Sequence, residues 1–88
     1  MIPKNIAREH LLKAIDEVET HGVPQNREST RYDLVFEGKT YSPKYLVSLA
    51  NTWANGEELD ATTFMPTEAR LFLLDLGFEV RRKGGRRT

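Results

Sequence analysis

"RYDLVFEGKTYSPKYLVSLA", residues 31–50, changes its periodicity halfway along. In the first half Tyr32, Leu34 and Phe36 alternate with Asp33, Val35 and Glu37, the period of two expected of a strand whose faces differ. Glu37-Gly38 then turns the chain into Lys39-Thr40-Tyr41, which predicts a hairpin. Ser42-Pro43 starts something else. Serine at an N-cap can offer its oxygen to an unpaired backbone N–H, and proline suits the first helical position, where no N–H is needed. Beyond it Leu46, Leu49, Ala50 and Trp53 recur at i, i+3, i+4 and i+7, predicting a second helix to about Ala54 that buries this stripe.

Upstream, "NIAREHLLKAIDEVETHG" places Leu11, Ala14, Ile15 and Val18 at helical spacing. With Asn5 as N-cap and Gly22 as stop, it predicts a helix from Ile6 to His21. "VPQNREST", residues 23–30, has no periodicity and reads as a loop into the strand. Downstream, "NGEELDATTF" reads as an acidic connection with a short turn, and "PTEARLFLLDLG" as a third helix ended by Gly77. Leu71, Phe72, Leu73, Leu74 and Leu76 leave that helix little polar face. Either it is central and buried nearly all round, or part of it is exposed for a dimer or a neighbouring domain. Phe78-Glu79-Val80-Arg81 alternates as a last strand joining the hairpin. The order α-β-β-α-α-β predicts a small α+β domain over residues 1–81.

Residues 82–88 continue as a basic tail or a linker to a further domain. "RRKGGRRT", which begins at Arg81, carries five positive charges and no acid, and suits a solvated tail or a phosphate-binding arm. The chain's 88 residues suffice for one core, which in so small a domain buries about 60–65% of the unfolded surface. There is no cysteine, which excludes a disulfide scaffold, thiol catalysis and Cys-ligated zinc, and suggests a reducing, cytoplasmic setting. No stretch resembles a signal peptide or approaches the roughly 20 apolar residues that span a bilayer, so no membrane partner is expected. His10 and His21 have no carboxylate at metal-ligand spacing, and Glu57, Glu58 and Asp60 read as a solvated acidic loop. No phosphate loop or nucleophile motif is present. The expectation is a chain without a catalytic centre, cofactor or metal.

The 13 acids and 13 bases cancel in sum but not in distribution. From Gly38 to Gly56 the only charges are Lys39 and Lys44, while acids gather before, at Asp16, Glu17 and Glu19, and after, at Glu57, Glu58 and Asp60. Lys44, Ser48, Asn51 and Asn55, at i, i+4, i+7 and i+11, form a polar face without an acid, opposite the apolar stripe. Such a face is either simply wet or meets nucleic-acid phosphates. In the second case Lys44, in the first helical turn, is the central phosphate contact.

The same segment, with "NREST" before it and "GEELDATTF" and "LLDLGFEV" after it, resembles the N-terminal head domain of McrA-like (ScoMcrA-type) modification-dependent HNH restriction endonucleases. That family's pattern is an Arg-x-Ser or Thr segment, a Tyr-x-Leu-Val strand, a Gly turn, a Tyr-Pro-Pro-Lys helix start and a closing Leu-Gly-Phe. It falls on Arg27, Ser29, Tyr32, Leu34, Val35, Gly38, Tyr41, Pro43, Lys44, Leu76, Gly77 and Phe78, within a likeness spanning Ile6 to Val80. Ser42 replaces the first proline of the pair, and "FMPTEAR" stands where the family often has a glycine pair.

The resemblance implies a non-catalytic recognition module for double-stranded DNA, modified bases included, in phage defence. It further implies a covalently linked nuclease domain elsewhere in the parent protein; the HNH signature itself is absent here. The candidate DNA-binding residues are Arg27, Ser29, Arg31, Tyr32, Lys39, Tyr41, Ser42, Lys44, Ser48 and Asn51, with any modified base read near Arg27, Ser29, Tyr32 and Tyr41. The competing expectation is a protein-interaction or architectural domain that positions or dimerises neighbouring nuclease domains.

Overall fold

The computed structural model describes residues 1–24 and 31–82. Its elements are α1 (Arg8–His21), β1 (Tyr32–Phe36), β2 (Lys39–Tyr41), α2 (Pro43–Asn55), a 3-10 turn at Ala61–Thr63, α3 (Pro66–Asp75) and β3 (Glu79–Arg82). This is the expected α-β-β-α-α-β order. The strands form one antiparallel sheet, ordered β2-β1-β3, so the first strand in sequence is the central one.

The hairpin closes through two residues of positive φ, Glu37 at 50° and Gly38 at 79°, a turn whose twist matches that of its strands. It sets Phe36 opposite Lys39 and Leu34 opposite Tyr41, and β3 sets Val80 beside Leu34 from the other side. Leu34, Tyr41 and Val80 thereby share the buried face.

Helix α1 starts later than predicted. Ala7 is the N-cap, not Asn5, and the imidazole of His10 accepts the Ala7 N–H at 2.8 Å, closing the first turn from inside the helix. Ile6 before the cap and Leu11 after it are both buried, in the positions of a hydrophobic staple. Asn5 is drawn away by a distant partner, its amide bonding Asn55 Oδ1 at 2.7 Å. Gly22 ends the helix as expected, at φ 80°. Ser42 caps α2 by position only: its side chain makes no capping bond, while its carbonyl accepts the Leu46 N–H.

The larger departure is an exchange of roles between helices. The run of leucines suggests little polar face on α3, yet of its residues only Ala69 and Leu73 are buried, and Leu71 is 57% exposed. Helix α2, which reads as amphipathic, is the central one, burying Tyr45, Leu46, Val47, Ser48, Ala50 and Asn51. Trp53, predicted for its buried stripe, lies 38% exposed. The reason is bulk: Ser48, Ala50 and Asn51 are small enough for α1, α3, β1 and the 3-10 turn to close around α2.

Burial of Ser48 has a cost. It is fully buried, and its hydroxyl has no hydrogen-bond partner among the described residues. Ser48→Ala removes an unsatisfied polar group and is expected to stabilise the fold by about 1 kcal/mol, raising Tm by about 4–8 °C in thermal unfolding. A lowered Tm would show that the hydroxyl is bonded.

Candidate nucleic-acid interface

Most of the acid-free face of α2 is covered: Ser48 and Asn51 are buried and Lys44 half-buried, while Asn55 is exposed. Lys44 Nζ donates to the Ala61 carbonyl at 2.6 Å, and the same ammonium lies 4.8 Å from the centroid of the Phe64 ring. Asn51, 4% exposed, donates to the Glu57 carbonyl at 2.8 Å, and the Leu59 N–H donates to the Ser48 carbonyl at 3.0 Å. Asn55 donates to Asn51 Oδ1 at 2.6 Å and to Asn5 Oδ1 at 3.0 Å.

Of the face expected to be wet or phosphate-facing, Lys44, Ser48 and Asn51 therefore seat the connection after α2, and Asn55 lies exposed beside it. This geometry supplies a reason for the missing acids. Two of the groups across from the face are backbone carbonyls, which require donors, and a carboxylate at position 44 or 51 would set oxygen against oxygen in a part-buried site. The acids of the connection look outward instead: Glu57 and Glu58 are exposed, and Asp60 caps the 3-10 turn by accepting the Thr62 N–H at 2.9 Å.

Lys39 and Tyr41 are likewise engaged from within the chain. Both meet Glu19 of α1, through Lys39 Nζ at 2.5 Å from Oε1 and the Tyr41 hydroxyl at 3.1 Å from Oε2. The Lys39 bond, then that of Tyr41, holds the Glu19 carboxyl below its ordinary range. Glu19 in turn raises Lys39, and burial, followed by the Glu19 bond, raises the Tyr41 phenol. Ser42 is 7% exposed. Arg27 and Ser29 lie outside the described residues.

What the sheet does bring together is a cationic corner at its other end. Arg31 is exposed immediately before β1 and Tyr32 is half-buried at its start. Register places Arg82, the last residue of β3, opposite Tyr32. From α3 the guanidinium of Arg70 lies over the Tyr32 ring, 5.7 Å from its centroid. Arg81 is paired in register with Asp33 and lies 3.6 Å from Glu79.

The predicted residues thus separate into Arg31 and Tyr32, consecutive in this corner, and a second set elsewhere, in which Lys39, Tyr41, Lys44 and Asn51 bond within the chain, Lys39 from an exposed position, and Ser42 and Ser48 are buried. Arg70 was not among the predicted residues. It is the only cation of α3, and no local spacing links it to Tyr32; only the pairing of β1 with β3 and the docking of α3 do so. Histidine, aspartate and glutamate side chains form no group of three or more able to hold a metal among the described residues.

The model of one family, described as ScoMcrA-like, N-terminal head domain, matches residues 4–82, nearly the whole chain. No curated protein and no solved structure matches the chain.

Two outcomes test this account of the site. Asn51→Asp changes a buried donor into an acceptor at nearly constant shape and should cost about 1–3 kcal/mol in urea denaturation. A neutral result would remove the donor explanation for the acid-free face. Because the Glu19 carboxyl is depressed in the folded state, its contribution is present at neutral pH and is lost as pH falls below the ordinary carboxylate range. Glu19→Gln should therefore flatten the acid side of the stability curve and leave its alkaline side less changed. An unaltered acid limb would contradict the assignment.

Proposed function

The chain belongs to the ScoMcrA-like N-terminal head domains, and on that premise we propose that it is a DNA-binding recognition module of a restriction endonuclease, without a catalytic centre of its own. The observation that carries this reading is the corner where Arg70 lies over the half-buried Tyr32, with Arg82 opposite it in register and the exposed Arg31 just before it. Arginine suits phosphate oxygens and base edges, and cations clustered at one end of a sheet give a formally neutral chain a positive approach surface. The partner is double-stranded DNA, modified bases included, and the nuclease lies elsewhere in a parent protein that works in phage defence in the cytoplasm.

A second reading has its own support. Leu71 and Leu74 of α3 are 57% and 39% exposed, an apolar strip of the kind that seats a second copy or a neighbouring domain. It makes the domain architectural, positioning or dimerising nuclease domains.

Binding to unmodified, methylated, hydroxymethylated and phosphorothioated duplexes at several salt concentrations distinguishes the two. Engagement of about four phosphates gives a log–log slope of affinity against salt near −3.6, and replacing Arg31 and Arg82 together by alanine should reduce its magnitude by roughly 2. Lys13→Glu, on the exposed side of α1, should change much less. A flat salt response, together with a dimer by sedimentation that Leu71→Glu dissociates, would favour the architectural reading.

A further inference from the structure

At the turn end of the sheet, away from the cationic corner, α1 and the hairpin enclose an open recess of about 280 Å3. Its lining is mixed, and the apolar part is Leu12, 39% exposed, with Ile15 from α1 and the half-buried ring of Phe36 from β1. Its edge carries Asp16, Glu19 and Glu37 against the single ammonium of Lys39. Lys39 is consumed by Glu19, and among the described residues neither Asp16 nor Glu37 forms an ion pair.

The α1 residues in the lining, Leu12, Ile15, Asp16 and Glu19, fall at i, i+3, i+4 and i+7, so one face of the helix contributes to both the apolar part and the edge. Glu37 adds a carboxylate at the turn, from a backbone of φ 50° where Asn or Gly fits more easily. The recess is slightly smaller than the ~300–1,000 Å3 of small-molecule pockets, a size for one or two side chains. Its surplus of negative charge repels DNA and favours a cation.

We propose that this recess docks a basic peptide segment of a partner protein, with one Arg or Lys side chain held between Asp16 and Glu37 and an adjacent apolar side chain laid on Leu12 and Phe36. The site lies at the opposite end of β1 from Tyr32, about 13 Å along the strand at 3.3 Å per residue, so DNA and the peptide do not compete for one surface. The proposal does not depend on the DNA reading: a chain that ignored DNA would still present this recess.

The test is titration of the 15N-labelled 88-residue chain with the peptide acetyl-Gly-Leu-Arg-Leu-Arg-Gly-amide, followed by amide shifts. Saturable shifts are expected at residues 12–19 and 36–41, with affinity falling as salt is added. Asp16→Lys combined with Glu37→Lys should weaken the peptide by about ten-fold or more, leaving duplex affinity undiminished. If the double variant fails to fold, Glu37→Gln alone, at an exposed turn, should still weaken it by about three-fold. Equal binding of a peptide with glutamate in place of arginine, shifts confined to Leu71 and Leu74, or no saturation at millimolar peptide would overturn the proposal.

Discussion

Helix α2 is surrounded on nearly every side, and the connection laid across it brings backbone groups that must be satisfied where water is scarce. Lys44 and Asn51 meet two of those carbonyls with donors, and the Ser48 carbonyl accepts the N–H of Leu59. This seam lets a slender, partly polar helix act as the axis of the fold. It allows α1 and α3 to approach α2, and the sheet to close over its remaining side. Lys44 also covers the ring of Phe64, so one ammonium contributes a hydrogen bond and a cation–π contact to the same joint.

A second joint ties the far ends of the chain. Helix α3 ends in a Schellman motif: the Phe78 N–H reaches the Leu73 carbonyl and the Gly77 N–H that of Leu74, both at 3.0 Å, with Gly77 at φ 91°. Arg8 of α1 then donates to the Leu76 carbonyl at 2.9 Å and lies 4.3 Å from the centroid of the Phe78 ring. A Cβ on Gly77 would meet Arg8 Nη1 at 3.1 Å, so the glycine answers both to its backbone angle and to this approach. Phe78 packs edge-on to Phe36 at 6.1 Å, which carries the joint into the sheet. The Leu76-Gly77-Phe78 segment is thus the place where α1, α3 and β1 are held in relation to one another.

The elements were legible in the sequence because their signals are local. Alternation at residues 32–37, the Glu37-Gly38 turn, Pro43 at a helix start and Gly22 and Gly77 at helix ends each speak through near neighbours, and each is found where expected. Placement was not legible, because it depends on partners far along the chain. Asn5 has the chemistry of an N-cap but is claimed by Asn55, and the α3 leucines have the hydropathy of a core helix but lack a second layer to face. The same limit applies to the site. Charge statistics locate an acid-free stretch correctly, yet a donor facing a carbonyl and a cation facing solvent leave one compositional trace, and only geometry separates Lys44 from Arg31.

The central strand of the sheet is made early in the chain, while one of its two neighbours, β3, is the last element before residue 83. On the ribosome α1, the hairpin and α2 leave the exit tunnel with one edge of β1 uncovered and Leu34 without Val80 beside it. The sheet cannot be completed until Arg82 has emerged, so the domain acquires its native pairing in the same interval as whatever polypeptide is translated next. Synthesis therefore leaves the edge of β1 that faces β3 without its native partner until β3 has emerged, and that edge is a template for wrong pairing in the meantime.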